Sequence, residues 1–354
     1  MDKRWDALAS ILVNYSTGVK PGERVLITMM EVETEPLARA CYREAVKAGG
    51  YPFIEYQSAY LEKDLMINGS MEQVEWVNEM CLKGMEWADC YIGLRGARNP
   101  YEWSGISGTR LSAHKRSLGR VSSERNHTRW VLTRVPNEAF AQQSHMPLED
   151  MMDFYFNATL VDWKKEGAAL QKVKDLMESG SSVRVTGRET DITFTTSGRI
   201  YAVADGHINM PDGEVYTCPI EESVNGTIYF EFPGAYAGNY IEGIRLTFKD
   251  GKLIHCSAET NEVLLKEILG TDEGASTLGE FGIGLNYGIT GYCGDILYDE
   301  KIGGTIHFAM GRGYPECLGN DRSALHWDII KDTRNEGAVY LDGKKVMEKG
   351  IWLI

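Results

Sequence analysis

The hydrophobic pattern changes period once along this chain, near residue 180, and that change constrains the fold more than any other feature. Before it, helical spacing alternates with short β-branched runs. Residues 5–17 place Leu8, Ile11, Leu12 and Tyr15 on one helical face. Gly18-Val19-Lys20-Pro21-Gly22 ends that helix, and Arg24-Val25-Leu26-Ile27-Thr28 reads as a strand. A helix over 34–48 closed by Gly49-Gly50, a strand over 51–56, a helix over 70–86 and a strand over 88–94 follow. Parallel neighbours need a crossover, and helices supply it, so this order predicts a parallel sheet covered by helices. Another strand over 127–135 stops at Pro136, and helices are expected near 137–145, 148–158 and 163–179.

Beyond Ser179-Gly180-Ser181-Ser182 the period becomes two. Val183-Arg184-Val185-Thr186, Ile192-Thr193-Phe194-Thr195 and Thr227-Ile228-Tyr229-Phe230 alternate as half-buried strands do. Ile244–Phe248 and Leu253–His255 flank Lys249-Asp250-Gly251-Lys252, a hairpin with Asp-Gly at its turn. A helix is expected over 260–269. The fold class is therefore α/β: an N-terminal Rossmann-like parallel-sheet domain over 1–180, then a β-rich α+β domain over 181–354.

Charge and composition exclude several functions. Thirty-seven Lys and Arg stand against 51 Asp and Glu, a net charge of −14, with no basic run to grip phosphates. Nucleic acid and anionic membrane surfaces are not expected as partners. No stretch of 18 apolar residues exists, and residues 1–6 lack the apolar core of a signal peptide. Seven cysteines are scattered without a Cys-x-x-Cys pair, which fits reduced thiols and a cytoplasmic location. After strand 24–28 the chain reads Met29-Met30-Glu31-Val32-Glu33, without the glycines that cradle a pyrophosphate, so no nucleotide cofactor is expected. His-Glu-x-x-His and Gly-x-Ser-x-Gly are both absent.

The second half carries the candidate chemistry. If His326-Trp327-Asp328 is extended, His326 and Asp328 leave the same face of a strand and can grip one metal. His307 sits inside the apolar run Thr305–Met310, where a hydrogen-bonded core histidine is the alternative. Glu280 lies in Leu278-Gly279-Glu280-Phe281-Gly282-Ile283-Gly284, whose glycines remove side chains around it; a glycine-rich turn with a surface acid is the alternative. Glu214 follows Asn209-Met210-Pro211-Asp212-Gly213, a turn feeding a strand, and a hairpin tip would look the same. Glu221 and Glu222 read as a solvated pair. Together, Glu214, Glu280, His307, His326 and Asp328 are the mixture of carboxylates and imidazoles that a two-metal hydrolase needs.

These motifs, in their order, make the chain resemble the thermophilic metalloprotease family of aminopeptidase T and aminopeptidase S. The resemblance begins with Val19-Lys20-Pro21-Gly22-Glu23-Arg24 and includes Asp299-Glu300-Lys301-Ile302-Gly303-Gly304-Thr305 and Ser323-Ala324-Leu325-His326-Trp327-Asp328. It implies that Glu214, Glu280, His307, His326 and Asp328 hold two divalent ions, Zn, Co or Mn. It implies that Tyr314 donates a hydrogen bond to the tetrahedral oxyanion, and that Glu280 or Glu214 shuttles a proton where not committed to metal. A homodimer that removes N-terminal residues from short peptides or small amides is implied as well. A second branch of the same superfamily resembles mononuclear Fe(II) dioxygenases that open dihydroxypyridine rings. His307, His326 and Asp328 would supply that triad, but such a site has no need of Glu214 and Glu280.

Overall fold

The computed structural model describes residues 2–354, which group into two compact units. One holds the chain up to Leu160 together with Gly206–Pro211; the other holds Val161–Asp205 and Asp212–Ile354.

In the first unit the predicted parallel sheet is present. Its order is Tyr51–Gln57, Arg24–Met30, Cys90–Arg95, Arg129–Arg134 and the short strand Asn209–Met210, every pair parallel. Central strands are buried on both faces, as Val25, Leu26, Ile27 and Ile92 show, which is why they read as continuous apolar runs. The first helix differs from expectation. It is α-helical only over Lys3–Ser10, with Asp2 capping it, and continues as a π-helix over Ile11–Ser16. The expected helix over 70–86 is two helices, Met71–Glu75 and Glu79–Trp87, because Trp76 is extended and Asn78 caps a new start. Helices Ala59–Asn68 and Gly108–Ser123 were not expected; the second is rich in Ser and Arg and shows only a thin apolar stripe.

The second unit is built of antiparallel sheets. One has eight strands, and it includes the hairpin Arg245–Lys249 and Lys252–Ser257 expected from Asp-Gly. A two-stranded hairpin pairs Gly234–Tyr236 with Asn239–Ile241, and a third sheet has five strands, in the order His326–Asp332, Thr305–Gly311, Leu278–Gly284, Glu214–Thr217 and Ala202–Ala204. The helix Trp163–Glu178 groups with this unit, although the change of period suggests a junction at 180. Its buried Leu170, Val173 and Met177 share one core with Val183, Ile192 and Phe194.

Alternation along the five-stranded sheet gives it two unlike faces. Val215, Phe281, Ile283, Ile306, Phe308, Met310 and Ile329 enter the core, where Phe194 packs edge-on against Phe281 at 5.1 Å and Phe308 at 5.8 Å. Burying each such ring contributes roughly 1.5–3 kcal/mol, enough to hold the register of the sheet. The opposite face carries the polar residues.

Candidate metal centre

The antiparallel register gathers that polar face into one place. Gly284 stands opposite Glu214, Gly282 opposite His307, Ala309 opposite Asp328 and Gly311 opposite His326. A bulge between Leu278 and Glu280 then pairs Glu280 with Ala309. The small residues among them leave the space that the ligating side chains fill. Glu280 lies buried in a central strand, so it is no surface acid on a turn; His307 is buried in the neighbouring strand and faces Glu280 rather than the hydrophobic core. Glu214 opens a strand and is buried, so it is no hairpin tip.

The distances are short. His307 Nε2 lies 3.4 Å from Glu214 Oε2 and 3.6 Å from Glu280 Oε1. His326 Nε2 lies 3.3 Å from Glu280 Oε2 and 3.4 Å from Asp328 Oδ2. Glu280 thus sits between the two imidazoles. Ligand atoms of Glu280, His307 and Asp328 fall within 4.8 Å of one another. All five sequence candidates are brought together.

Each imidazole is oriented from behind. His307 Nδ1 is 3.0 Å from the Glu300 carbonyl and His326 Nδ1 is 2.8 Å from the Arg312 carbonyl. A carbonyl only accepts, so both Nδ1 atoms carry the proton and both Nε2 atoms face the carboxylates. Burial works against protonation of these rings. The carboxylates outweigh it, raising His307 to about 9 through Glu280 and Glu214, and His326 to about 11 through Asp328 and Glu280. Burial pushes the Glu214 carboxyl up to about 8 even with Lys301 opposing it.

A divalent cation fits this donor set. Glu214 Oε2 and Asp328 Oδ1 are buried with no hydrogen-bond partner among the described residues, a costly state for carboxylate oxygens that a cation relieves. Imidazole and carboxylate are the donors that Zn, Co and Mn accept.

Three participants were not singled out from the sequence. Lys301 is fully buried, with Nζ 3.3 Å from Glu214 Oε1, 4.0 Å from Asp212 Oδ1, and bonded to Glu300 Oε1. Burial opposes its charge, but these three carboxylates raise its pKa well above the usual lysine value. The signal was thin: a lysine between an acid and Ile302-Gly303-Gly304 reads as surface until its burial is known. Glu221 is also no solvated acid; it pairs with Arg199 at 2.9 Å, away from the five candidates.

Tyr314 enters from the turn after the His307 strand. Its hydroxyl is 3.2 Å from His326 Nε2, its ring meets Tyr216 edge-on at 5.3 Å, and its backbone N–H donates to Cys218 Sγ at 3.2 Å. Burial, then the Glu280 and Asp328 charges, hold its hydroxyl protonated far above the usual phenol range.

The chain matches the family described as thermophilic metalloprotease (M29) over residues 1–352. Aminopeptidase PepS of Streptococcus thermophilus is 25% identical, with 98% of this chain and 97% of that protein covered. Aminopeptidase T of Thermus thermophilus is 31% identical over a segment covering 46% of this chain and 43% of that protein. Among solved structures, AmpT of Thermus thermophilus superposes with a TM-score of 0.86 at 22% identity, covering 99% of each chain. A 2,5-dihydroxypyridine dioxygenase of Pseudomonas putida shares the fold more distantly, with a TM-score of 0.63 at 14% identity over 99% of this chain and 96% of that one. With a match running through both units and a buried carboxylate–imidazole cluster, this hydrolase belongs to the thermophilic metalloprotease (M29) family.

Proposed function

We propose that the chain is an aminopeptidase that removes N-terminal residues from short peptides, with Glu214, Glu280, His307, His326 and Asp328 holding two divalent ions. One observation carries the reading: the charge of the buried cluster. Asp212, Glu214, Glu280, Glu300 and Asp328 offer five carboxylates, and Lys301 returns one positive charge. Without metal, protons on His307 and His326 offset part of that charge; with metal bound, the imidazoles are neutral and four negative charges remain, which two divalent ions balance and one does not. The ring-opening oxygenase is the weaker reading, because a mononuclear site would leave two of those charges unopposed.

Bound, the ions would polarise the scissile carbonyl and lower the pKa of a water so that it supplies hydroxide. The chain's own residues do the rest. Lys301 occupies Glu214 Oε1 and so presents Oε2 to the site. The carbonyls of Glu300 and Arg312 fix both imidazole planes. Tyr314 keeps its proton and donates it as a hydrogen bond to the developing oxyanion. Glu280, between the two imidazoles, is placed to accept a proton from the attacking water and return it to the leaving amine.

The test is hydrolysis of aminoacyl p-nitroanilides and dipeptides by the metal-loaded protein. Turnover that stops with a chelator and returns with Zn, Co or Mn supports the reading. Oxygen uptake on a dihydroxylated ring, without peptide hydrolysis, overturns it.

A further inference from the structure

Two of the seven cysteines meet behind the turn that carries Tyr314. Cys218 follows the strand Glu214–Thr217, and Cys317 ends the single helical turn Pro315–Cys317. Cys218 Sγ accepts the Tyr314 backbone N–H at 3.2 Å and lies 3.7 Å from the Tyr314 carbonyl oxygen. The Cys317 N–H donates to that same carbonyl at 3.1 Å, and the Cys317 thiol donates to the Cys218 sulfur. Both side chains are buried, and both are free thiols. Glycines allow this packing: a Cβ on Gly319 would lie 2.4 Å from Cys218 Sγ, and one on Gly313 2.9 Å from it. Gly319 also lines a polar cavity of about 520 Å³, together with Leu318, Asn320 and Arg322. It stands between that cavity and the sulfur with no side chain to close the way. The cover is strained as well. Leu318 is 53% exposed and has φ 62°, in the left-handed region that a leucine seldom adopts.

We infer that Cys218 and Cys317 form a peroxide-sensitive thiol pair, and that their conversion to a disulfide draws Tyr314 away from His326 and switches hydrolysis off. The effect on hydrolysis rests on the aminopeptidase reading. Hydrogen peroxide is small enough to reach Cys218 through the cavity at Gly319. The hydrogen bond from Cys317 holds the Cys218 thiol below its ordinary value, which favours the attacking thiolate. The Cys218 sulfur attacks one peroxide oxygen, the O–O bond breaks, and hydroxide leaves with the former thiol proton as water. The Cys317 sulfur then attacks the Cys218 sulfenic acid. The S–O bond breaks, the S–S bond forms, and the Cys317 proton departs in a second water. The two thiols lose two electrons, and the peroxide gains them. A disulfide holds its sulfurs about 2.05 Å apart, closer than a hydrogen bond does. Cys317 must therefore approach Cys218. Tyr314 moves with it, because its carbonyl accepts the N–H groups of Cys317 and Gly319. Its hydroxyl then leaves its place 3.2 Å from His326 Nε2.

The experiment treats the metal-loaded protein with hydrogen peroxide, alkylates the remaining thiols under denaturing conditions and maps the peptides by mass. Hydrolysis of leucyl p-nitroanilide is measured beside it. The expected result is a pair of peptides joined through Cys218 and Cys317, and a fall in kcat of about 100-fold with KM and metal content little changed. Dithiothreitol should restore both the thiols and the rate. Cys317→Ala should hydrolyse as the parent does and keep that rate after peroxide; Cys317→Ser replaces it if the alanine variant folds poorly. Absence of the Cys218–Cys317 link after peroxide overturns the inference. So does a link that leaves kcat unchanged, or an equal loss of rate in the Cys317 variant. Each of these leaves the aminopeptidase reading intact. No turnover of any aminoacyl substrate by untreated protein overturns that reading instead, and the linked peptides, present or absent, still decide whether the pair is a modification site.

Discussion

Gly282 stands directly across the sheet from His307, and a Cβ placed on Gly282 would lie 1.9 Å from the imidazole Nε2. No real side chain fits there. The glycine leaves the space that the ring fills, from where its Nε2 faces Glu214 and Glu280. The strand accepts a residue with no side chain to pack because its other positions, Phe281 and Ile283, are fully buried in the core.

Gly282→Ala should therefore displace His307 before it unfolds the protein. Overpacking of this kind costs about 1–3 kcal/mol, which a domain of this size survives. Elemental analysis of the folded variant should show loss of bound metal, and a thermal melt should show a modest fall. Full metal content with unchanged activity would sink this account of the glycine.

Lys301→Met should be among the most damaging single changes away from the hydrophobic core. It leaves Glu214, Asp212 and Glu300 buried without their shared cation. Removing one partner of a buried ion pair costs about 3–5 kcal/mol. Denaturant unfolding with and without added divalent metal reads this directly. The metal-free protein should lose most, and metal should recover part of the loss by supplying positive charge.

Tyr314→Phe keeps the edge-on contact with Tyr216 and removes only the hydroxyl. The expectation is a fall in kcat of about 100- to 1,000-fold with metal content and KM little changed. An equal rise in KM instead would mean that the hydroxyl holds the ground-state substrate rather than the oxyanion.

In the first unit, Arg24 grips Asp89 at 2.9 Å and holds its carboxyl at about 2, below its ordinary 3.8. The sign follows from linkage. A depressed carboxyl contributes stability that is present above the unfolded value and disappears as pH falls through the folded one. Asp89→Asn should flatten the acid limb of the stability curve between about pH 4 and pH 2, and leave its shape above pH 5 unaltered. Urea titrations across that range measure it.

Much of the layout was legible because local pattern carries it. The parallel sheet follows from strand–helix alternation, and the pairing of His326 with Asp328 follows from a spacing of two on a strand. That Glu214, Glu280 and His307 join them was legible only as a matter of residue type and motif order. Their meeting depends on the register of separate strands and on the bulge beside Glu280, neither of which the chain shows locally. Lys301 was invisible for a different reason: a lysine beside acids normally faces water, and here tertiary burial overrides that preference. The assignment of Gly206–Pro211 to the first unit was likewise hidden, since a two-residue strand leaves no periodic trace.

The charge of the buried cluster makes the central claim countable. Elemental analysis of protein purified without chelator, paired with calorimetric titration of the stripped protein, gives metal ions per chain. The account predicts about two divalent ions per chain, both lost in Glu280→Ala because that carboxylate lies between the two imidazoles. One ion per chain at saturation, or two that survive Glu280→Ala, would contradict it.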